Sequence, residues 1–177
     1  DEGESNILRN LLRFETITAR DVMTPRTVVV SAQQERSVRD FHDEHPNLRF
    51  SRVPIYSDAP DHVSGYVLKD QILKQLIDQQ GDTPLSSIRR DIIAVKENYP
   101  IPDLFGHFTE KREHIALVVD EFGGMAGIVT MEDVIETLLG LEIVDEQDGT
   151  ADMQALARKR WEQRATGVGL ITGDQET

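Results

Sequence analysis

The chain has no cysteine among its 177 residues, which excludes disulfides and thiolate metal sites and favours a reducing compartment. Basic residues are scarce: 19 Lys and Arg stand against 32 Asp and Glu, a formal net charge of -13. That balance argues against nucleic acid as a partner, because Lys and Arg supply most phosphate affinity. An anionic ligand would need local basic groups, backbone N–H donors or a divalent cation. Aromatics are only 6%, low for a catalytic site that stacks sugars or bases. No run approaches the roughly 18 to 20 apolar residues that span a bilayer. A signal-peptide pattern is missing, and the start at Asp1, without Met, reads as that of a piece of a longer protein. There is no G-x-S-x-G, no Walker motif and no recognisable Ser/His/Asp pattern, so no enzyme is expected.

What is present is periodic and repeated. The apolar fraction of 38% suits a folded protein. Residues 1–14 read as a linker helix, with Ile7, Leu8, Leu11 and Leu12 on one stripe. "TARDVMTPRTVVV" follows; Pro25 stops any helix and Val28–Val30 predicts a strand. Residues 37–44 predict a helix, then "FSRVPIYSD" and "HVSGYVL" two strands, then "KDQILKQLIDQQG" a helix closed by Gly81. The pattern then restarts. "VPIYSD" at Val53–Asp58 stands 62 residues before "IALVVD" at Ile115–Asp120. Gly65 stands 62 before Gly127, Phe41 stands 64 before Phe105, and Val22 about 66 before Ile88. Two tandem units follow, residues 15–81 and 82–141, each β-α-β-β-α. Neither is long enough to bury a secure core alone, so they should pack on each other. Residues 142–177 read as an acidic connector, a C-terminal helix and a tail.

"GIVTMEDVIETLL" carries the sharpest signal. Thr130 and Asp133 have capping-box spacing at a strand-to-helix junction, which needs no ligand. A helix start is also an anion site, and a carboxylate there can accept ribose hydroxyls. The first unit has "GYVLKDQIL" at the same offset, with Leu68 and Gln71 in those places and Asp70 one residue early. A pure folding role should appear at both helices. The asymmetry points to one competent cleft and one degenerate cleft. "DEFGGMAG" reads as a hairpin turn and not a phosphate loop, since its glycines precede a strand. His42 and His45 lack a third ligand, and the acidic run from Glu142 to Asp152 lacks the spaced Gly of an EF-hand loop. Pro54 inside a strand belongs at an edge or bulge.

With "ARDVMTPR", "SRVPIYSD" and "HIALVVDEFGGMAGIVTMEDVIETLLG" in view, residues 15–145 resemble a CBS-domain pair, the Bateman module. The resemblance is narrower still, to the cytosolic module of the CorC/CNNM membrane proteins linked to magnesium and cobalt homeostasis. It implies an α+β fold of two CBS units related by a pseudo-two-fold, with flanking N- and C-terminal helices. It also implies an adenine-nucleotide sensor, commonly for ATP with Mg²⁺, that does no chemistry. The module would form a homodimer through its CBS units and act on a transmembrane domain of the same full-length chain, at the cytoplasmic face of the membrane. Thr130 and Asp133 would meet ribose and phosphate. Ser51, Arg52, Val53 and Pro54 would wall the adenine pocket, with Thr24 and Arg26 at the cleft wall and the phosphates. Many relatives carry a further C-terminal domain, for which only about 30 residues remain here. Two other readings stay open: a ligand-independent dimerisation and docking module, and a nucleotide hydrolase.

Overall fold

The computed structural model describes residues 2–140, with side chains from residue 8 onward. The acidic connector, C-terminal helix and tail lie outside the described residues, as does the side chain of Ile7. The order is α1 (Glu2–Phe14), α2 (Ala19–Val22), β1 (Thr24–Pro25), β2 (Ala32–Gln33), α3 (Val38–Glu44), β3 (Arg52–Tyr56), β4 (Val63–Leu68) and α4 (Lys69–Ile77). A 3-10 turn at Leu85–Ile88 leads to β5 (Ile93–Lys96), α5 (Ile101–Lys111), β6 (Ile115–Val119), β7 (Met125–Thr130) and α6 (Met131–Leu139). The fold is α+β, and from β2 to α4 and from β5 to α6 it runs twice through β-α-β-β-α.

Two sheets result, ordered β2-β3-β4 and β1-β7-β6-β5. In each, the first strand of the repeat runs parallel to the second, and a hairpin adds the third. Alternation along the strands sorts the side chains. Val53, Ile55 and Val67 join Val38, Phe41 and Ile72 in one core; Ala116, Val118 and Val129 join Ile101, Leu104 and Phe108 in another. Tyr66, Ile115, Leu117, Met125 and Ile128 fill a third cluster where the two sheets meet. Each large core side chain contributes roughly 1.5–3 kcal/mol by burial.

The repeats exchange their lead-in segments. Residues 17–25 leave the first repeat and pack on the second: Ala19 N–H donates to Tyr99, Arg20 to Glu97, and Ile101 to Ile17, all at 2.9 Å. The second lead-in mirrors this on the first repeat, where Leu85 N–H donates to Arg36, Ser86 to Gln34, and Val38 to Thr83, at 2.8 to 2.9 Å. Ala19 is accordingly buried in the second core and Leu85 in the first. β1 pairs with β7, Thr24 opposite Ile128; the matching bridge sets Arg90 against Tyr66. This crossing explains the glycine repeat. A Cβ at Gly127 would strike the Thr24 carbonyl, and one at Gly65 would strike the Arg90 carbonyl. Both glycines are there to let the other repeat's backbone pass.

Several local expectations shift. Val28–Val30 forms no strand: Val28 N–H turns back to the Pro25 carbonyl, and pairing falls instead on Thr24–Pro25 and Ala32–Gln33. Gly81 does not close α4; Gln79 takes the left-handed conformation, at φ 57°, and Gly81 is buried against Arg39. Gly140 does close α6, at φ 64°. Ladder register sets Ile115 opposite Thr130 and Arg52 opposite Leu68, so Arg52 rather than Val53 corresponds to Ile115, an offset of 63. Phe41 corresponds to Leu104, not Phe105, as the two cores show. The offset falls back to 62 beyond the hairpins, because the first hairpin carries one more residue between its strands.

Pro54 sits in β3, the middle strand, yet breaks no ladder. β2 pairs only with Ile55 and Tyr56, and opposite Pro54 both polar groups of Tyr66 bond outward to Arg90. Pro54 is thus in a non-hydrogen-bonded pair where a donor is not needed.

Candidate functional site

α6 begins with a reciprocal lock. Thr130, extended at φ -105°, takes the N-cap place. Its N–H and its Oγ1 both donate to Asp133 Oδ2, at 2.7 and 2.8 Å, and Asp133 N–H faces Thr130 Oγ1 at 3.4 Å. The expected capping box is present, and Oδ1 takes no part in it. Burial pushes the Asp133 carboxyl up to about 6; the Thr130 hydrogen bonds pull it down, and Glu132 adds a smaller upward push. A half-buried carboxylate raised in this way, at a positive helix start, is the kind of group that marks a binding site.

The other sheet supplies the facing wall. Arg52, on β3 and mostly buried, reaches Glu132 in the first turn of α6 at 3.6 Å. Thr24 lies opposite Ile128 on β7, and opposed residues share a face, so Thr24 and Thr130 look the same way about 7 Å apart along the strand. Thr130, Asp133, Arg52 and Thr24 are brought together. Ser51 is exposed and its carbonyl accepts the Lys69 N–H at the start of α4. Pro54 shares the Arg52 face of β3, while Val53 is turned into the core of its own half. Arg26 lies at the far end of the same ladder, roughly 13 Å from Thr130, in an ion pair with Asp61 at 3.1 Å.

The second cleft has the same backbone and different contents. Leu68 starts α4 without a side-chain cap, where Thr130 starts α6. Arg89 and Arg90 stand where the first lead-in has Met23 and Thr24. Arg112 and His114 close the far side, and the space holds about 450 Å³. Sequence reasoning missed these groups and Glu132; carrying the lead-in offset of 66 two residues past Val22 and Ile88 would have exposed Arg90. "DEFGGMAG" is the expected turn, with Asp120 Oδ1 accepting the Phe122 and Gly124 N–H groups at 2.9 Å. His45 stacks on Phe41 and bonds its carbonyl at 3.0 Å, and no metal-ligating cluster occurs among the described residues.

Two sheets meeting face to face with exchanged lead-ins define a CBS-domain pair, and the family model for the CBS domain matches residues 85–140. The solved CBS domain of the bacterial CNNM/CorC family Mg²⁺ transporter in complex with ATP is 33% identical, with a TM-score of 0.74, covering 78% of this chain and 98% of that one. A UPF0053 protein of Synechocystis sp. is 34% identical over 89% of this chain and 45% of its own length. The magnesium and cobalt efflux protein CorC of Escherichia coli K12 is 29% identical over 93% of this chain and 57% of its own. The chain belongs to the CBS domains of the CNNM/CorC family. It spans about half the length of these two full-length relatives. No helix among the described residues is long and apolar enough to cross a membrane.

Proposed function

We propose that this CBS pair is a regulatory module that binds an adenine nucleotide, ATP with Mg²⁺, at the Thr130–Asp133 cleft. Binding controls an attached membrane domain for divalent cation transport, with the pair at the cytoplasmic face. The observation that carries the reading is the Asp133 carboxylate, locked by Thr130 and raised by burial, with Arg52 arriving from the other half. Asp133 offers an acceptor to the ribose, the α6 start and Arg52 offer positive charge to the phosphates, and Thr24 and Pro54 stand at the wall. Mg²⁺ supplies countercharge in a chain of net charge -13. Because Arg52 and Asp133 belong to different halves, a ligand held by both would favour one arrangement of the halves, which is how binding biases a partner domain. The ATP-bound relative supports this reading. It assigns no reaction to the chain.

Calorimetry with AMP, ADP and ATP, with and without Mg²⁺, tests it. Binding is expected in the wild type and a loss of about 100-fold in Thr130→Ala/Asp133→Ala. Silence with every nucleotide, or undiminished affinity in the variant, overturns it. A second reading is a ligand-independent dimerisation and docking module, favoured by the exposed Leu73, Ile77 and Leu139 on α4 and α6. We place the homodimer contact on these helices in both readings. Sedimentation separates them: a dimer unaffected by nucleotide, with silent calorimetry, belongs to the second.

A further inference from the structure

α1 lies on the fold by one side only. Phe14 is buried and meets Phe105 edge-on, and Asn10 is half-buried beside the end of α6. Leu8, Leu11 and Leu12 are 63%, 45% and 74% exposed. They fall at i, i+3 and i+4, so they form one apolar stripe on the outside of the helix. Arg9 and Arg13 each follow a leucine by one residue and stand off the stripe, and the exposed Glu15 closes it at the C-terminal end. Single exposed leucines are ordinary on a surface; three in neighbouring positions on one helix mark a contact face.

The rest of the chain leaves the fold beside this helix. Gly140 ends α6 in the left-handed conformation, a Cβ there would strike the Asn10 side chain, and Asn10 Nδ2 donates to the Leu139 carbonyl at 3.4 Å. Residues 141–152 can span up to about 40 Å when extended, against about 20 Å for the whole of α1. They lead to residues 153–164, "MQALARKRWEQR", whose pattern suits the stripe. Met153, Leu156, Ala157 and Trp161 fall at i, i+3, i+4 and i+8, one face of a helix, and Arg160 and Arg164 share that face at i+7 and i+11. The stretch carries four basic residues and one acidic in a chain of net charge -13.

We propose that residues 153–164 dock on the α1 stripe of their own chain. The charges set the direction: Arg160 and Arg164 lie toward Glu15, which brings Leu156 toward Leu8 and Trp161 toward Leu12. A short tether holds the segment at a roughly millimolar effective concentration, so a modest apolar contact is enough to seat it. The contact is at the far end of α6 from Thr130, roughly 13 Å along the helix, and is independent of the nucleotide reading.

Trp161 is the only tryptophan in the chain, so its fluorescence reads the segment directly. In the full chain its emission is expected to be blue-shifted and shielded from acrylamide. Leu8→Asp/Leu12→Asp should shift the emission to the red and raise quenching about twofold or more. Both leucines are exposed, and an unchanged thermal melt separates lost docking from lost fold. The absence of native cysteine gives a second measurement. Oxidation should join Leu8→Cys to Leu156→Cys within one chain, and more readily than Leu12→Cys to Leu156→Cys. A Trp161 open to quencher in the wild type, emission unmoved by the leucine variants, or no disulfide within the chain overturns the proposal. A disulfide between two chains gives the face to a second copy. Shielding that appears only with vesicles of phosphatidylglycerol gives the segment to a lipid surface. Either of these results also overturns docking on α1.

Discussion

At the start of α6 a threonine and an aspartate lock together; at the start of α4 a leucine and a glutamine stand in their places. Around the first pair lie Met23 and Thr24, around the second Arg89 and Arg90. The backbones do not differ in the same way. Each lead-in crosses to the other repeat with the same three hydrogen bonds, and each passes over a glycine. The difference teaches where duplication is constrained. Contacts of main chain on main chain tie the repeats to one geometry. Side chains that look into the clefts are free to diverge, and there the two halves have taken up different chemistry.

The strongest way to break this comparison is at the glycines. Gly127→Val and Gly65→Val should each cost about 3 kcal/mol or prevent folding, because the added carbons meet a carbonyl rather than a movable side-chain tip. Urea denaturation of both variants checks it. Tolerance at one position and collapse at the other would show that the two crossings are not equivalent. Next in size is the nucleotide loss expected at Thr130→Ala/Asp133→Ala, paired with its control Gln71→Ala, which should stay within about twofold for AMP.

Asp133 supplies a test in pH. Its carboxyl rises from 3.8 to about 6 on folding, mainly through burial. The protonated form is therefore the one the fold prefers. Its contribution to stability is greatest below about pH 4, is lost as pH rises toward 6, and stays lost above that. Asp133→Asn keeps an acceptor for Thr130 and removes the titration. At pH 7.5 it should be more stable than wild type by something on the order of 2 kcal/mol, with the gap closing toward pH 4. Parallel slopes of stability against pH in the two proteins would contradict this. A gain in stability joined to a loss of nucleotide would mean that Asp133 is kept for binding at a cost to folding.

Much of this was legible in the residues. The repeat, the hairpins, the cap at Thr130 and the vacancy of that cap at Leu68 all follow from spacing. Three things were hidden. The lead-in exchange was hidden because it is a main-chain contact between segments far apart in sequence, and only Gly65 and Gly127 leave a trace of it. The true offset of 63 along β3 and β6 was hidden because one extra residue in the first hairpin shifts the later strands, and "VPIY" beside "IALV" fits either register. The basic cleft was hidden because Arg89, Arg90 and Arg112 come from separate elements, and each alone reads as a solvated surface charge. Val53 shows the converse error. A β-branched residue beside Arg52 and Pro54 was expected at a pocket wall, but alternation turns it to the core.

The smallest expected effect separates two arginines that the sequence set side by side. Arg52 is mostly buried and reaches the first turn of α6; Arg26 is half-exposed and held by Asp61 on the surface. An exposed pair of that kind contributes up to about 1 kcal/mol, so Arg26→Ala should cost about 0.5 kcal/mol or less. Its side chain is tied to Asp61 at the far end of the ladder from the Thr130 cap. ATP affinity in Arg26→Ala should stay within about twofold, while Arg52→Ala should lose about tenfold. Equal losses would extend the phosphate path along the whole β1–β7 ladder to the hairpin. A loss confined to Arg52 ties the ligand to the seam where the two halves meet, the position from which binding can change how they sit.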